Sequence, residues 1–132
     1  MSANDPDADK VIELAGQIFD LARQGDAEKL GAYLDAGVPP NLTNENGDSI
    51  LMLAAYYGNE AAVTALLAHG ADPNVTNDAG QTPLAGAIFK GETEILKALI
   101  GAGADPDAGN PSARDTAAMF DRTEFLEKFL KP

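Results

Sequence analysis

The 132-residue chain has no cysteine, no tryptophan and a single histidine. Without cysteine there is no disulfide framework, no thiolate zinc site and no cysteine nucleophile, and a reducing, cytoplasmic compartment is expected. One histidine cannot supply the paired imidazoles of a zinc site. No stretch approaches the ~20 apolar residues that span a bilayer. Residues 1–10 are polar and acidic, with neither the basic nor the apolar segment of a signal peptide. Val and Ile are sparse beside Leu and Ala, which favours helices over strands.

Positive charge is also scarce. The formal net charge is -12, and no Lys or Arg stands between Leu30 and Phe89. That stretch holds Asp35, Glu45, Asp48, Glu60, Asp72 and Asp78. Such a surface repels phosphates and anionic headgroups, so neither nucleic acid nor a membrane is expected as a partner. It would attract a protein with a basic surface.

What the chain does have is a repeat. Gly47 to Asn77 matches Gly80 to Asn110 at a spacing of 33 residues. Gly47 pairs with Gly80, Ala54 with Ala87, Gly58 with Gly91, Leu66 with Leu99 and Gly70 with Gly103. Ala71-Asp72-Pro73 pairs with Ala104-Asp105-Pro106. A degenerate earlier copy places Gly25, Leu34, Gly37 and Pro40-Asn41 against Gly58, Leu67, Gly70 and Pro73-Asn74. A shared period of this length marks a solenoid.

Each unit reads as two short helices. Thr82-Pro83 has the form of an N-cap followed by proline at the first helical position. Small residues such as Ala54, Ala55 and Ala87 let neighbouring helices approach, and Gly58 and Gly91 end the first helix. Val63, Leu66 and Leu67, like Leu96, Leu99 and Ile100, form the apolar stripe of the second. The spacing predicts helices near 10–24, 26–35, 49–57, 59–69, 83–90, 92–101, 115–121 and 123–130, with Leu67 and Leu99 in the shared core. Val11, Leu14, Ile18 and Leu21 line the first helix, and Phe125, Leu126, Phe129 and Leu130 the last. Their polar outer faces suit the ends of a stack. Before the last unit the spacing shortens to about 30, as in a trimmed repeat.

The pattern resembles the ankyrin repeat family, on the period, the glycines and the Gly-Ala-Asp-x-Asn run. The match covers Gln17 to Asn110 well and the last 20 residues loosely. The implied fold is all-α: an ankyrin-repeat solenoid of about four helix-turn-helix units joined by hairpin-like loops. Residues 1–8 are expected as a disordered acidic tail and 9–132 as one domain. Its units are 9–44, 45–77, 78–110 and a truncated 111–132. The family's Thr-Pro-Leu-His is Ser49-Ile50-Leu51-Met52 in one unit and Thr82-Pro83-Leu84-Ala85 in the next, so the histidine that ties neighbouring turns is missing.

Chemistry leaves little trace. His69, at the end of a second helix, has no orienting partner in the sequence pattern. Asp5, Asp7 and Asp9 begin like a calcium loop, but Lys10 and Gly16 stand where a glycine and a bidentate glutamate belong. Gly101-x-Gly103 follows a helix and not a strand, so it is no dinucleotide loop. Asn41-Leu42-Thr43 and Asn74-Val75-Thr76 fit the glycosylation triplet because they occupy one repeat position. No enzyme activity, metal or cofactor is expected.

The resemblance implies a non-catalytic module that binds another protein through its concave face and loop tips. The matching tip positions are Thr43, Glu45, Asn46 and Asp48, then Thr76, Asp78, Ala79 and Gln81. The matching concave positions are Arg23 and Gln24, Tyr56 and Tyr57, and Phe89 and Lys90. Tyr56, Tyr57 and Phe89 are candidate hot spots, whereas Phe19 and Tyr33 read as core. A monomer is expected. The alternatives are an enzyme acting on a small molecule, which needs a deep pocket with a polar pair, and a self-associating scaffold.

Overall fold

The computed structural model describes residues 6–130. Eight helices follow in order: α1 (Pro6–Gln24), α2 (Ala27–Asp35), α3 (Ile50–Tyr56), α4 (Glu60–Ala68), α5 (Pro83–Lys90), α6 (Thr93–Gly101), α7 (Ala113–Met119) and α8 (Thr123–Leu130). Among the described residues there is no strand, only isolated antiparallel bridges at Thr43–Ser49 and Gly109–Ser112 in the hairpin loops. The all-α solenoid expected from the repeat is thus the fold.

Inner helices α3, α5 and α7 each start on a hydroxyl. Ser49 Oγ accepts from Met52 N, Thr82 Oγ1 from Ala85 N and Ser112 Oγ from Asp115 N, all at 3.0–3.1 Å. A cap of this kind contributes about 1 kcal/mol. All three are buried, because the loop folds back over them. The missing family histidine therefore leaves these turns capped.

Stacking puts α3 between α1 and α5, and α5 between α3 and α7, with α2, α4, α6 and α8 behind them. Two columns run through the stack. Ala54, Ala87 and Ala117 are fully buried where the inner helices touch, and their small side chains allow the close approach. Leu30, Val63, Leu96 and Leu126 form the matching column of the outer helices, each at most 1% exposed. Leu66 and Leu99 are also fully buried, but Leu67 is only half-buried against the core. Leu67 was expected deeper; it lies at the edge of the stripe while Leu66 takes the inward position.

Two helix boundaries are set by local chemistry rather than by the period. Helix α1 starts at Pro6, a residue suited to a first helical turn, so residues 6–8 are helical. Residues 1–5 of the expected acidic tail lie outside the described residues, as does the side chain of Val11. Helix α7 begins at Ala113, ahead of the expected 115, because Ser112 and Asp115 form a capping box. The shortened spacing comes from the last hairpin. Where Asn44 and Asn77 are followed by four residues before the capping hydroxyl, Asn110 is followed by Pro111 alone.

Candidate functional site

The inner helices leave a row of large apolar side chains in solvent. Tyr56, Tyr57, Phe89, Met119 and Phe120 are between 44% and 62% exposed. They follow the repeat: Met119 takes the position of Tyr56 and Phe89, and Phe120 that of Tyr57 and Lys90. The rings are organised against each other. Tyr56 and Tyr57 meet edge to face at 5.6 Å, and Phe89 and Phe120 at 5.1 Å. Lys90 Nζ stands over the Tyr56 ring, 4.8 Å from its centre, a cation–π contact.

Together they border an open groove of about 500 Å³ whose floor includes Met52, Leu53, Ala85, Gly86 and Thr116. Gly86 leaves room beside Tyr56, whose ring lies 4.0 Å from where a Cβ would stand. Three polar side chains of this groove are bonded within the fold. Thr82 caps α5, and Thr116 Oγ1 donates to Ser112 O at 2.8 Å. Asp48 Oδ1 accepts from Asn77 Nδ2 at 2.8 Å.

The loop tips close one end of the groove. Asn44 Oδ1 accepts from the amides of Asn46 and Asp48, and Asn77 Oδ1 from those of Ala79 and Gln81. Asp78 N donates to Asn46 O at 3.0 Å, locking one tip to the next. Glu45, Asn46, Asp78 and Gln81, with Thr43, Thr76 and Ala79, are exposed there. Asp48 is half-buried, so it is a support of the tip as well as a rim charge.

At the other end the helix termini are tied between repeats. Asn59 Nδ2 donates to Ala22 O at 2.6 Å and Arg23 O at 3.0 Å. Arg122 Nη1 donates to Ile88 O at 2.7 Å and Phe89 O at 3.2 Å. Arg23 pairs with Asp20 at 2.8 Å. Gln24 lines a separate shallow hollow between α1 and α2 with Gln17 and Tyr33. Of the sequence-derived positions, Asp48, Tyr56, Tyr57, Gln81 and Phe89 come together at the groove. Arg23, Gln24, Glu45, Asn46, Asp78 and Lys90 lie outside its lining.

Behind the stack, His69 is partnered after all. Its Nδ1 is 2.8 Å from Ala65 O and its Nε2 is 2.7 Å from Asp35 Oδ1. Both nitrogens face acceptors, so the doubly protonated ring satisfies both. The Ala65 carbonyl, then Asp35, raise its pKa above the usual 6.5. This exposed pair stands on the outer helices, away from the groove. The groups of histidine, aspartate and glutamate among the described residues form no metal-holding cluster.

A profile of ankyrin repeats in three copies matches residues 18–110. The chain belongs to the ankyrin repeat family. A Pseudomonas aeruginosa protein described as an ankyrin repeat protein is 53% identical to it over 51 residues. That stretch covers 39% of this chain and 30% of the relative. Ankyrin repeats in general are protein–protein interaction modules and are typically non-catalytic. No helix among the described residues is long and apolar enough to cross a membrane.

Met119 and Phe120 were missed by sequence reasoning. Their signal was the shortened period itself: counting 30 residues from Phe89 and Lys90 lands on them.

Proposed function

We propose that the protein binds another protein through the groove of Tyr56, Tyr57, Phe89, Met119 and Phe120, with the acidic loop tips as its rim. The observation that carries this reading is the confinement of large exposed rings to the inner helices. Rings held in place this way bury much area at little entropic cost, which is how hot spots act. With Thr82, Thr116 and Asp48 bonded within the fold, the groove offers mainly apolar contact and the tyrosine hydroxyls, which favours a non-catalytic role. Glu45 and Asp78 favour a partner with a basic surface, and the net charge of -12 favours a monomer and disfavours nucleic acid. The lack of cysteine suits the cytoplasm.

The test is comparative capture from a cell extract, with three baits. These are the wild-type chain, the Tyr56→Ala/Phe89→Ala pair, and an outer-face control carrying Thr64→Arg and Lys97→Glu. A protein retained by the wild type and the control but lost by the groove variant is the expected result. Retention by the groove variant with loss by the control would move the binding face to the outer helices.

A further inference from the structure

Three glycines end inner helices, and in each case one later side chain lies over the glycine. A Cβ at Gly25 would stand 2.6 Å from Asn59 Oδ1, and one at Gly91 would stand 2.7 Å from Arg122 Nη1. A Cβ at Gly58 would stand 3.0 Å from Glu92 Oε1. Residues 59, 92 and 122 are therefore the same position of the repeat, seen three times. Asn59 and Arg122 use it to donate to the last carbonyls of α1 and α5.

Glu92 cannot. A carboxylate only accepts, and so do the equivalent carbonyls of Ala55 and Tyr56 at the end of α3. The negative end of that helix faces a negative side chain, which is the arrangement a helix dipole disfavours. Among the described residues no side chain donates to those two carbonyls, and the Glu92 carboxylate has no hydrogen-bonding or ionic partner. Lys90, two residues before it, is turned over the Tyr56 ring instead. The middle junction thus lacks a donor that both its neighbours possess, and it lies on Tyr56, a wall of the groove.

We propose that this junction is a cation subsite: an arginine or lysine side chain of the bound partner donates to the Ala55 and Tyr56 carbonyls and pairs with the Glu92 carboxylate. The proposal rests on the groove reading and adds to it the partner's chemistry, an apolar anchor for the rings with a basic residue at a fixed distance. Arg122 on the end of α5 is the internal template for the contact. Arginine fits better than lysine, because its planar fork can reach two acceptors at once.

The experiment selects binders from a random displayed peptide library on the full wild-type chain and on Glu92→Arg, which supplies the missing donor from within. Peptides chosen by the wild type are expected to carry an aromatic or large aliphatic residue and a basic residue at constant spacing. Replacing that basic residue by alanine should weaken binding to the wild type about tenfold, a difference of about 1.4 kcal/mol, and leave binding to Glu92→Arg unchanged. Glu92→Arg and Glu92→Asn should melt no lower than the wild type, since each repeats a contact found at a neighbouring junction. Selected peptides without a constant basic residue, or one that counts equally against Glu92→Arg, would overturn the subsite and leave the groove standing. A lower melting temperature in both variants would overturn it as well, by showing those carbonyls out of reach. Peptides indifferent to Tyr56→Ala/Phe89→Ala, or a library yielding none, would overturn the groove and the subsite together.

Discussion

The inner and outer helices of this stack are built from the same repeat and bury similar aliphatic residues, yet they treat their exposed positions differently. The outer row shows solvent Glu60, Thr64, Glu94, Lys97 and Glu124. The inner row shows it Tyr56, Tyr57, Phe89, Met119 and Phe120. Packing alone does not require this, since the buried columns are complete without those rings. A surface that keeps its exposed aromatic rings on one side marks that side as the one for contact.

The largest effect is expected in the core. Leu96→Ala, in the outer column, should cost about 2–5 kcal/mol through lost burial and a residual cavity. The described units should melt as one, because each is stable only against its neighbours. Leu67→Ala, at the edge of the same stripe, should cost clearly less. Urea denaturation of the two variants measures the gap, and equal losses would contradict their different depths.

Next comes the exposed inner row. Phe89→Ala should weaken partner binding by about 2 kcal/mol or more while changing the unfolding midpoint little. The loss should appear mainly in the dissociation rate. Asp48→Asn should slow association and reduce its salt dependence. It should also loosen the tips, because Asp48 accepts from Asn77. Surface plasmon resonance at two salt concentrations, with a melting curve for each variant, separates these effects.

A smaller effect is expected at the ties between repeats. Asn59→Ala removes two donors from the end of α1 and should cost about 1–2 kcal/mol, read by urea denaturation. Asp121 is a non-glycine residue with a left-handed backbone, φ 56°, at the position held by Gly58 and Gly91. Asp121→Gly should therefore raise stability, by about 1 kcal/mol or less.

The smallest effect belongs to the outer face. The raised pKa of His69 means that its folded form holds the proton more tightly than the unfolded chain does. Its stabilising contribution is full below the unfolded value of 6.5 and is lost as pH rises through the higher folded value. The wild type should lose a slight advantage over His69→Ala between about pH 5.5 and about pH 8.5, measured by urea midpoints. A constant difference across that range would remove the linkage.

The period, glycines and capping hydroxyls are local features, so the helices and their order were legible in the sequence. So were Tyr56, Tyr57 and Phe89 as one exposed group. Depth within a stripe was not: Leu66 and Leu67 are adjacent and alike, and only the angle of α4 against its neighbours separates them. Met119 and Phe120 were hidden by three residues missing from a hairpin. The Asp35–His69 and Asp48–Asn77 bonds join residues 34 and 29 apart, and no pattern of single residues announces them.

Asn41 Oδ1 accepts from Asp72 N and Asn74 Oδ1 from Asp105 N, both at 2.7 Å and both across 31 residues. The same rung is therefore laid down twice by the same step along the chain. A structure generated by such a screw operation has no intrinsic length. Duplicating residues 45–77 in frame would reproduce rung, cap and column together and insert one more pair of tyrosines. The groove would lengthen by about 8–10 Å, turning the number of copies into a ruler for the segment it reads.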